Sequence, residues 1–237
     1  MKALTHACHP SKTETLRITF LMANIPSTVQ SNTWQDAFGN AYTDRNPQNI
    51  EELDVLWVKE YGITREAMNT EFLAGLDRSM SILEVGANLG LQLSMLRHMG
   101  FENLLGVDVN PYAVRHAKSI HPDADIIRGS ALDLPFKGSA FDLVYTSGVL
   151  IHISPTDIPK AMDEVYRVSK RYIWGFEYYA PNLAEVEYRG QKGLLWKTDF
   201  KKGYTDRFPT LRVVKGQIYP MVGSENVSQM FLLEKTE

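Results

Sequence analysis

One carboxylate and two glycines are spaced along the chain as a nucleoside-binding site would need them. Gly86 and Gly90 belong to the turn “GANLG”, and glycine lets a backbone turn sharply and approach a ligand because it has no Cβ. Asp108 ends the apolar run “NLLGVD”, near the spacing of about 20 residues at which an acidic side chain accepts hydrogen bonds from ribose hydroxyls. These residues predict that a ribose binds beside the turn.

Asn88 separates this turn from the dinucleotide fingerprint GxGxxG. That fingerprint would place glycine where this chain has Asn88 and Leu91. The asparagine side chain occupies space that a pyrophosphate needs for contact with bare backbone. The turn therefore favours a nucleoside without a diphosphate and argues against a nicotinamide-dependent dehydrogenase.

Two later segments would close the same site from other sides. The small residues of “GSALDLPF” are expected to pass the base, and “TSGVLIHI” would leave a strand at the rim where the reacting group lies. His152 is the best-placed base in the second segment, because an unperturbed pKa near about 6.5 suits proton transfer at neutral pH. Capping of a helix, or packing beneath the ligand, is the alternative role for His152.

The pattern after residue 80 is typical of a parallel sheet, because short apolar runs alternate with helical segments. Seven strands are predicted, at residues 81–85, 103–109, 124–129, 141–147, 171–178, 211–219 and 228–235. The last connection is too short for a crossover helix, so the last two strands should pair antiparallel. Helices are predicted to begin at Thr64, at Asn110 with Pro111, and at Ser154 with Pro155.

Three parts are predicted along the chain. They are a mobile leader over residues 1–30, a helical cap over 31–78 and an α/β domain over 79–237. The leader contains His6, Cys8 and His9, but three such residues in a terminus of this kind rarely form a metal site. We therefore expect no metal.

The composition is that of an ordinary soluble protein. The 237 residues are 44% hydrophobic and 22% charged, which suffices for one sizeable domain. The net charge of -3 gives no general attraction to polyanions, so neither nucleic acid nor a membrane surface is an expected partner. Cys8 is the only cysteine, and no apolar run reaches the roughly 18 residues of a membrane helix. These features predict a cytoplasmic protein and leave its oligomeric state open.

Four successive motifs, “ILEVGANLG”, “LLGVDVN”, “GSALDLPF” and “FDLVYTSGVLIHI”, resemble those of the class I S-adenosylmethionine-dependent methyltransferases. More narrowly, “FGNAYTDRN”, “FEYYAPN”, “EYRG” and “KTDF” resemble the pseudaminic acid biosynthesis-associated methylase group. The resemblance implies a Rossmann-like α/β fold with a seven-stranded, mostly parallel sheet of order 3-2-1-4-5-7-6, its last strand antiparallel. Helices would lie on both faces, with an N-terminal helical extension. The implied cofactor is S-adenosylmethionine, with S-adenosylhomocysteine as product.

The resemblance also assigns residues to the cofactor. They are Tyr42, Arg45, Glu84, Gly86, Asn88, Gly90, Asp108, Ser130, Ala131, Leu132, Thr146 and Gly148. Arg45 suits a carboxylate of the cofactor or the acceptor, because its planar fork binds carboxylates bidentately.

The acceptor side is predicted from the end of the fifth strand and the insert that follows it. Tyr178 and Tyr179 would act in catalysis with His152, while Glu177, Tyr188 and Arg189 would bind the acceptor. If Arg189, Lys192 and Lys197 face the site as a lid, the acceptor should be anionic. Tyrosines in a strand and cations on an insert can equally serve packing and solvation.

The predicted function is methyl transfer to O or N of a small polar metabolite, an acidic sugar or a related biosynthetic intermediate. A catalytically inactive S-adenosylmethionine-binding partner or scaffold subunit is the alternative. A nucleic-acid base methyltransferase is disfavoured, because “TSGVLIH” lacks an Asn or Asp followed by two prolines and an aromatic residue.

Overall fold

The computed structural model of this chain describes residues 25–236. His6, Cys8 and His9 lie outside the described residues, as does most of the predicted leader. Among residues 25–236, no three His, Cys, Asp or Glu side chains are grouped so as to hold a metal ion. No helix in the same range is long and apolar enough to cross a membrane.

Seven strands form the main sheet, in the order β3-β2-β1-β4-β5-β9-β8. Their bounds are β1 Ser81–Val85, β2 Asn103–Asp108, β3 Ile126–Arg128, β4 Phe141–Ser147, β5 Ser169–Tyr179, β8 Leu211–Pro220 and β9 Val227–Lys235. The first five strands are parallel, whereas β9 is antiparallel to both β5 and β8. The predicted sheet is therefore confirmed, including its order 3-2-1-4-5-7-6 and its final hairpin. The predicted strand ends are displaced by two residues at most.

A second, two-stranded sheet was not expected. It pairs β6 (Ala184–Glu185) with β7 (Trp196–Lys197) in the insert that follows β5. Strands of two residues carry too few alternating positions to be recognised by periodicity.

Eight α-helices and one 3-10 helix accompany these strands in the described part of the chain. They are α1 Val29–Gln35, α2 Ala37–Arg45, α3 Ile50–Tyr61, α4 Arg65–Leu73, α5 Leu91–His98, α6 Pro111–Ile120, α7 Ile158–Val168, α8 Phe200–Arg207 and the 3-10 helix Leu150–His152. Thr64 and Asn110 cap α4 and α6 as predicted, each accepting a hydrogen bond from the first turn.

Two predicted helix boundaries differ from the structure. The helix expected at Ser154 begins instead at Ile158, because Ser154 starts a turn in which its carbonyl accepts from the N–H groups of Asp157 and Ile158. The α1 helix begins at Val29, inside the predicted leader, where Thr28 forms a capping box with Ser31. The division into leader, helical cap and α/β domain stays a prediction.

Alternate residues of β1 enter opposite apolar layers, as the two-residue period of a strand requires. Leu83 and Val85 pack in the layer that contains α7, whereas Ile82 packs in the layer that contains residues of α4 and α5. Glu84 lies on the same face as Ile82. This central strand therefore places a carboxyl group under the N-terminal helices.

Gly39 sits where α2 meets α1. A Cβ at this position would overlap the backbone carbonyl oxygen of Trp34 and would lie 3.0 Å from Nδ2 of Asn110. The close approach of the two helices therefore depends on glycine, although glycine in a helix costs about 0.5–1 kcal/mol relative to alanine.

Candidate active site

Two cavities of about 140 and 250 Å³ lie at the carboxyl ends of the parallel strands. This is the edge at which open α/β sheets bind their ligands. Six residues line both cavities: Tyr42, Gly86, Asn88, Ser147, Gly148 and His152. The two cavities are thus neighbouring compartments of one site.

The smaller cavity is built from the end of β2 and the loop after β3. Asp108, Ser130, Ala131 and Leu132 line it, as does Trp34 from α1. Asp108 is buried, and its two oxygens accept hydrogen bonds from the backbone N–H groups of Asn88 and Asn110, both at 2.8 Å. Burial raises the pKa of this carboxyl, while the backbone donors lower it. Each oxygen retains a lone pair for a further donor.

The turn after β1 is held by its backbone conformation. Gly86 has φ 79°, and a Cβ there would overlap the side chain of Val149. Gly90 also has positive φ, and its Cβ would lie 2.8 Å from Cδ1 of Ile126. Both positions therefore require glycine. At Gly86, which lines both cavities, a side chain would collide with Val149, and at Gly90 it would collide with Ile126 of β3.

Asn88 connects this turn to the N-terminal helices. It has φ 46°, a conformation that asparagine tolerates better than most residues. Its Nδ2 donates to Oγ1 of Thr43 at 3.0 Å, and its Oδ1 accepts from Nδ2 of Asn46 at 3.1 Å. The amide predicted to lie by the cofactor is therefore bonded to α2 and to the residue that follows it.

The larger cavity has an aromatic and apolar lining with few charges. Its lining includes Trp57, Tyr61, Phe176, Tyr178 and Tyr188, together with the carboxyl groups of Glu60 and Glu84. The Glu84 side chain is buried, and its Oε2 has no hydrogen-bond partner among the described residues. Burial raises the pKa of this carboxyl to about 8. An unpartnered buried carboxyl oxygen in a cavity wall is suited to a ligand that donates a hydrogen bond.

Arg65 lies behind this wall, fully buried, and does not line either cavity. Its guanidinium carbon is 4.4 Å from the ring centroid of Phe176 and 5.3 Å from that of Trp57. Its Nη2 donates to Oγ of Ser147 at 3.1 Å, while its Nη1 has no hydrogen-bond partner among the described residues. Burial lowers the pKa of Arg65 to about 10, so it remains a cation at neutral pH.

His152 stands between the two cavities at the end of the 3-10 helix. Its Nδ1 is 2.7 Å from the carbonyl oxygen of Leu194. A carbonyl only accepts, so Nδ1 must carry the proton and Nε2 must keep a free lone pair. Burial lowers the pKa of the imidazole to about 4, below the value near 6.5 that the sequence predicted, so the ring is neutral at physiological pH and is a weaker base than expected. The ring is packed between Trp34, at 4.5 Å between centroids, and Tyr188, at 5.2 Å.

The structure brings most of the predicted site residues together. Those lining at least one cavity are Tyr42, Glu84, Gly86, Asn88, Asp108, Ser130, Ala131, Leu132, Gly148, His152, Tyr178 and Tyr188. Those lining neither are Arg45, Gly90, Thr146, Glu177, Tyr179 and Arg189. The roles of all of them stay predictions.

Physical reasons separate the second group from the cavities. Arg45 is exposed at the end of α2, and Arg189 is exposed in a turn of the insert. Thr146 is buried within β4. Glu177 is 1% exposed, and its Oε2 accepts from the N–H of Val149 at 3.0 Å. Burial raises the pKa of Glu177 to about 7. This carboxyl therefore supports the loop after β4 and lines neither cavity.

Several lining residues escaped the sequence prediction. They are Trp34, Trp57, Glu60, Tyr61, Gln92 and Ser147. Leu53, Leu56 and Trp57 lie at helical spacing, a pattern that indicates a buried helix face but does not indicate which element covers it. Trp34 and Glu60 carried no signal beyond a helical context.

Comparison with known sequences gives a partial match. Residues 83–172 match the family profile described as “Methyltransferase domain”. An uncharacterised methyltransferase of Synechocystis sp. is 39% identical over 67 residues, which make up 28% of this chain and 32% of that protein. A sterol 24-C-methyltransferase of Pneumocystis carinii is 26% identical over 103 residues, 41% of this chain and 27% of that protein. The chain thus spans less than a third of the length of either relative.

A solved structure extends the likeness across the chain. The 1,6-didemethyltoxoflavin-N1-methyltransferase of Burkholderia thailandensis, with 1,6-didemethyltoxoflavin and S-adenosylhomocysteine bound, has a TM-score of 0.61. The alignment covers 93% of this chain and 95% of that one at 14% identity, so it shows a shared fold. Residues 83–172 therefore resemble a methyltransferase domain, and the chain shares its fold with a methyltransferase that binds S-adenosylhomocysteine.

Proposed function

We propose that the whole protein transfers a methyl group from S-adenosylmethionine to O or N of a small polar metabolite. One observation carries the proposal: a cavity of about 140 Å³ lined by Asp108 and an aromatic cavity of about 250 Å³ meet at Gly86, Gly148 and His152. A donor and an acceptor could bind in such compartments with their reacting ends at the shared wall.

The residues present fit the cofactor. Asp108 offers two oxygens to ribose hydroxyls, and Ser130, Ala131 and Leu132 offer backbone and apolar contacts to a base. The unpartnered Oε2 of Glu84 fits an α-amino group. Gly86 and Gly148 leave the backbone open between these two positions, since a Cβ at Gly148 would meet no atom within 4 Å.

The cofactor would supply an electrophilic methyl group on a sulfonium, and the protein would align the acceptor with it. Such positioning can contribute about 7–11 kcal/mol. The free lone pair of His152 Nε2 can accept a proton from an acceptor hydroxyl or ammonium, because the hydrogen bond from Nδ1 to Leu194 fixes the tautomer. The rings of Trp34 and Tyr188, both tilted against the imidazole, pack on it and restrict its orientation.

The charge of the acceptor is the weaker part of the sequence prediction. The resemblance to the pseudaminic acid-associated methylases proposes an acidic sugar, bound by cations of the insert. However, Arg189 and Lys192 are exposed, and the larger cavity has no Arg or Lys among its lining residues. The cavity volume of about 250 Å³ supports a small molecule. The absence of a nucleic-acid partner and a cytoplasmic location remain proposals that rest on composition.

Calorimetric titration of the full chain with S-adenosylmethionine tests the cofactor site first. Incubation with labelled S-adenosylmethionine and small-molecule extracts of the source cell, followed by mass spectrometry, would then identify the methylated product. We expect saturable binding and at least one labelled metabolite. Binding without transfer would favour the inactive partner subunit, and no binding would exclude both functions.

A further inference from the structure

Aromatic rings form much of the wall of the larger cavity. Tyr61 meets Phe176 at 5.6 Å between centroids, and Trp57 meets Phe176 at 6.1 Å. Tyr178, at the end of β5, lines the same cavity. Ring faces attract cations by about 0.5–2 kcal/mol each, more when water is excluded. A wall of this kind suits a ligand with a positive charge.

Glu60 adds a carboxylate to this wall. The residue is half-buried and lines the cavity, and its carboxylate forms no hydrogen bond or ion pair with the described residues. Burial raises its pKa, against a smaller lowering by Lys59. Burial raises the pKa of Tyr61 to about 12, and it also raises the pKa of Tyr178. The charge of Glu60 contributes to both shifts, but less than burial does. Glu60 lines the same cavity as both rings, and a partly desolvated charge without a partner is unfavourable until a cation joins it.

The cations near this aromatic wall do not neutralise the carboxylate of Glu60. Arg65 lies behind Phe176 and Trp57 and does not line the cavity. Lys197 lies 5.8 Å from the ring centroid of Tyr178, but its Nζ is hydrogen-bonded to Asn226 and it does not line the cavity either. Lys59 is exposed. Glu84, with its pKa near 8, is mostly protonated at neutral pH.

We propose that the region bounded by Glu60, Tyr61 and Tyr178 binds a substituted ammonium group of the methyl acceptor. The acceptor is then a cationic amine or quaternary ammonium compound, in place of the anionic metabolite that the sequence predicted. This inference rests on the proposed function, because it treats the larger cavity as the acceptor site. The ammonium is a recognition group, and the methylated atom lies elsewhere on the molecule, because a nitrogen held as a cation has no lone pair with which to accept a methyl group.

Choline and 3,3-dimethylbutan-1-ol test the inference, because they share a shape and differ in the charge of one central atom. Each is titrated calorimetrically into the full chain, with and without saturating S-adenosylhomocysteine, and glucuronate serves as an anionic probe. We expect choline to bind at least tenfold more tightly than the alcohol or glucuronate. Glu60→Gln should remove most of this preference and leave the affinity for the alcohol unchanged. Glu51→Gln, an exposed position on the same helix, is the matched control.

The results separate this inference from the proposed function. Equal binding of choline and its neutral analogue, preferential binding of glucuronate, or absence of choline binding would overturn the ammonium site. An equal response of Glu60→Gln and Glu51→Gln would do the same. Binding of S-adenosylmethionine, measured on the same samples, reports on the methyltransferase itself, so either conclusion can fail alone.

Discussion

The smaller and the larger cavity share a wall, but different parts of the chain form them and their carboxyl groups are bonded differently. The smaller cavity is formed largely by turns at strand ends, and its carboxylate, Asp108, is satisfied by two backbone donors. The larger cavity is formed largely by side chains from helices and from β5, and its carboxyls, Glu60 and Glu84, retain unpartnered oxygens. The first is therefore organised in advance around a fixed polar pattern. The second keeps uncompensated groups that a ligand can satisfy.

This contrast predicts that the two cavities differ in how readily substitutions change their ligand. A site held by backbone hydrogen bonds can bind one ligand in many related proteins, because its geometry tolerates changes in side chains. A site made of rings and unpaired carboxyls depends on a few residues, so it can change its specificity by substitution. His152, which belongs to both cavities, is the place where the two halves can be tested together.

The largest effect is expected at His152, the shared wall. His152→Ala should lower turnover of the acceptor found in the extract experiment by about 100-fold and leave cofactor affinity nearly unchanged, because proton transfer is lost. His152→Asn keeps a side-chain N–H for the Leu194 carbonyl but lacks the lone pair of Nε2. It should be as impaired as His152→Ala. Normal turnover in the asparagine variant would show that the residue only supports Leu194.

Asp108 should affect the smaller cavity alone. Asp108→Ala removes a charged hydrogen-bond acceptor and should weaken S-adenosylmethionine binding by about 10–100-fold in calorimetry. Choline binding, which belongs to the larger cavity, should change little. Asp125→Ala, an exposed position before β3, is the control. Unchanged cofactor affinity would place the ribose elsewhere.

Asn88 should show how far the N-terminal helices assist the smaller cavity. Asn88→Gly keeps the positive φ but removes the hydrogen bonds to Thr43 and Asn46, so cofactor affinity should fall by about tenfold. Amide exchange in α2 should become faster. Asn182→Gly, at an exposed position in the insert, should do neither. If α2 keeps its protection, the contact does not hold the helix.

The smallest effect is a dependence of stability on pH that originates in the larger cavity. The pKa of Glu84 is raised to about 8 from an ordinary value of 4.5, so the folded state keeps a proton that the unfolded state loses. Stability of the ligand-free protein should therefore fall as pH rises from 4.5 to 8. Between pH 6 and 8 this amounts to a decrease of about 5 °C in Tm. Glu84→Gln should show a flatter profile by differential scanning calorimetry, and parallel profiles would contradict the shift.

The sheet and the smaller cavity could be predicted from sequence because their signals are local. The runs at 81–85 and 141–147 are short and largely apolar, each is followed by glycine, and they form β1 and β4 to the residue. Gly86 and Asp108 follow from turn chemistry and from spacing along adjacent strands. Each of these inferences needs only neighbouring residues.

The larger cavity could not be predicted in the same way. Arg65 follows the Thr64 cap in a polar helix, and its burial depends on one ring of the preceding helix α3 and on two rings of β5, which is far away in sequence. The charge of Arg45 and Arg189 predicts that they bind the cofactor or the acceptor, yet the fold leaves both side chains exposed. Charge along a sequence indicates chemistry, but only packing between distant elements decides which charges reach a cavity.

Gly39 has a consequence for how variation is distributed along this chain. The position lies outside residues 83–172, the part that matches the methyltransferase profile. A single added methyl group would nevertheless press on Trp34 and approach Asn110, both of which line the smaller cavity. In a saturation mutagenesis library, position 39 should therefore tolerate fewer replacements than the exposed positions around it. The mutational footprint of ligand binding should extend into the N-terminal helices.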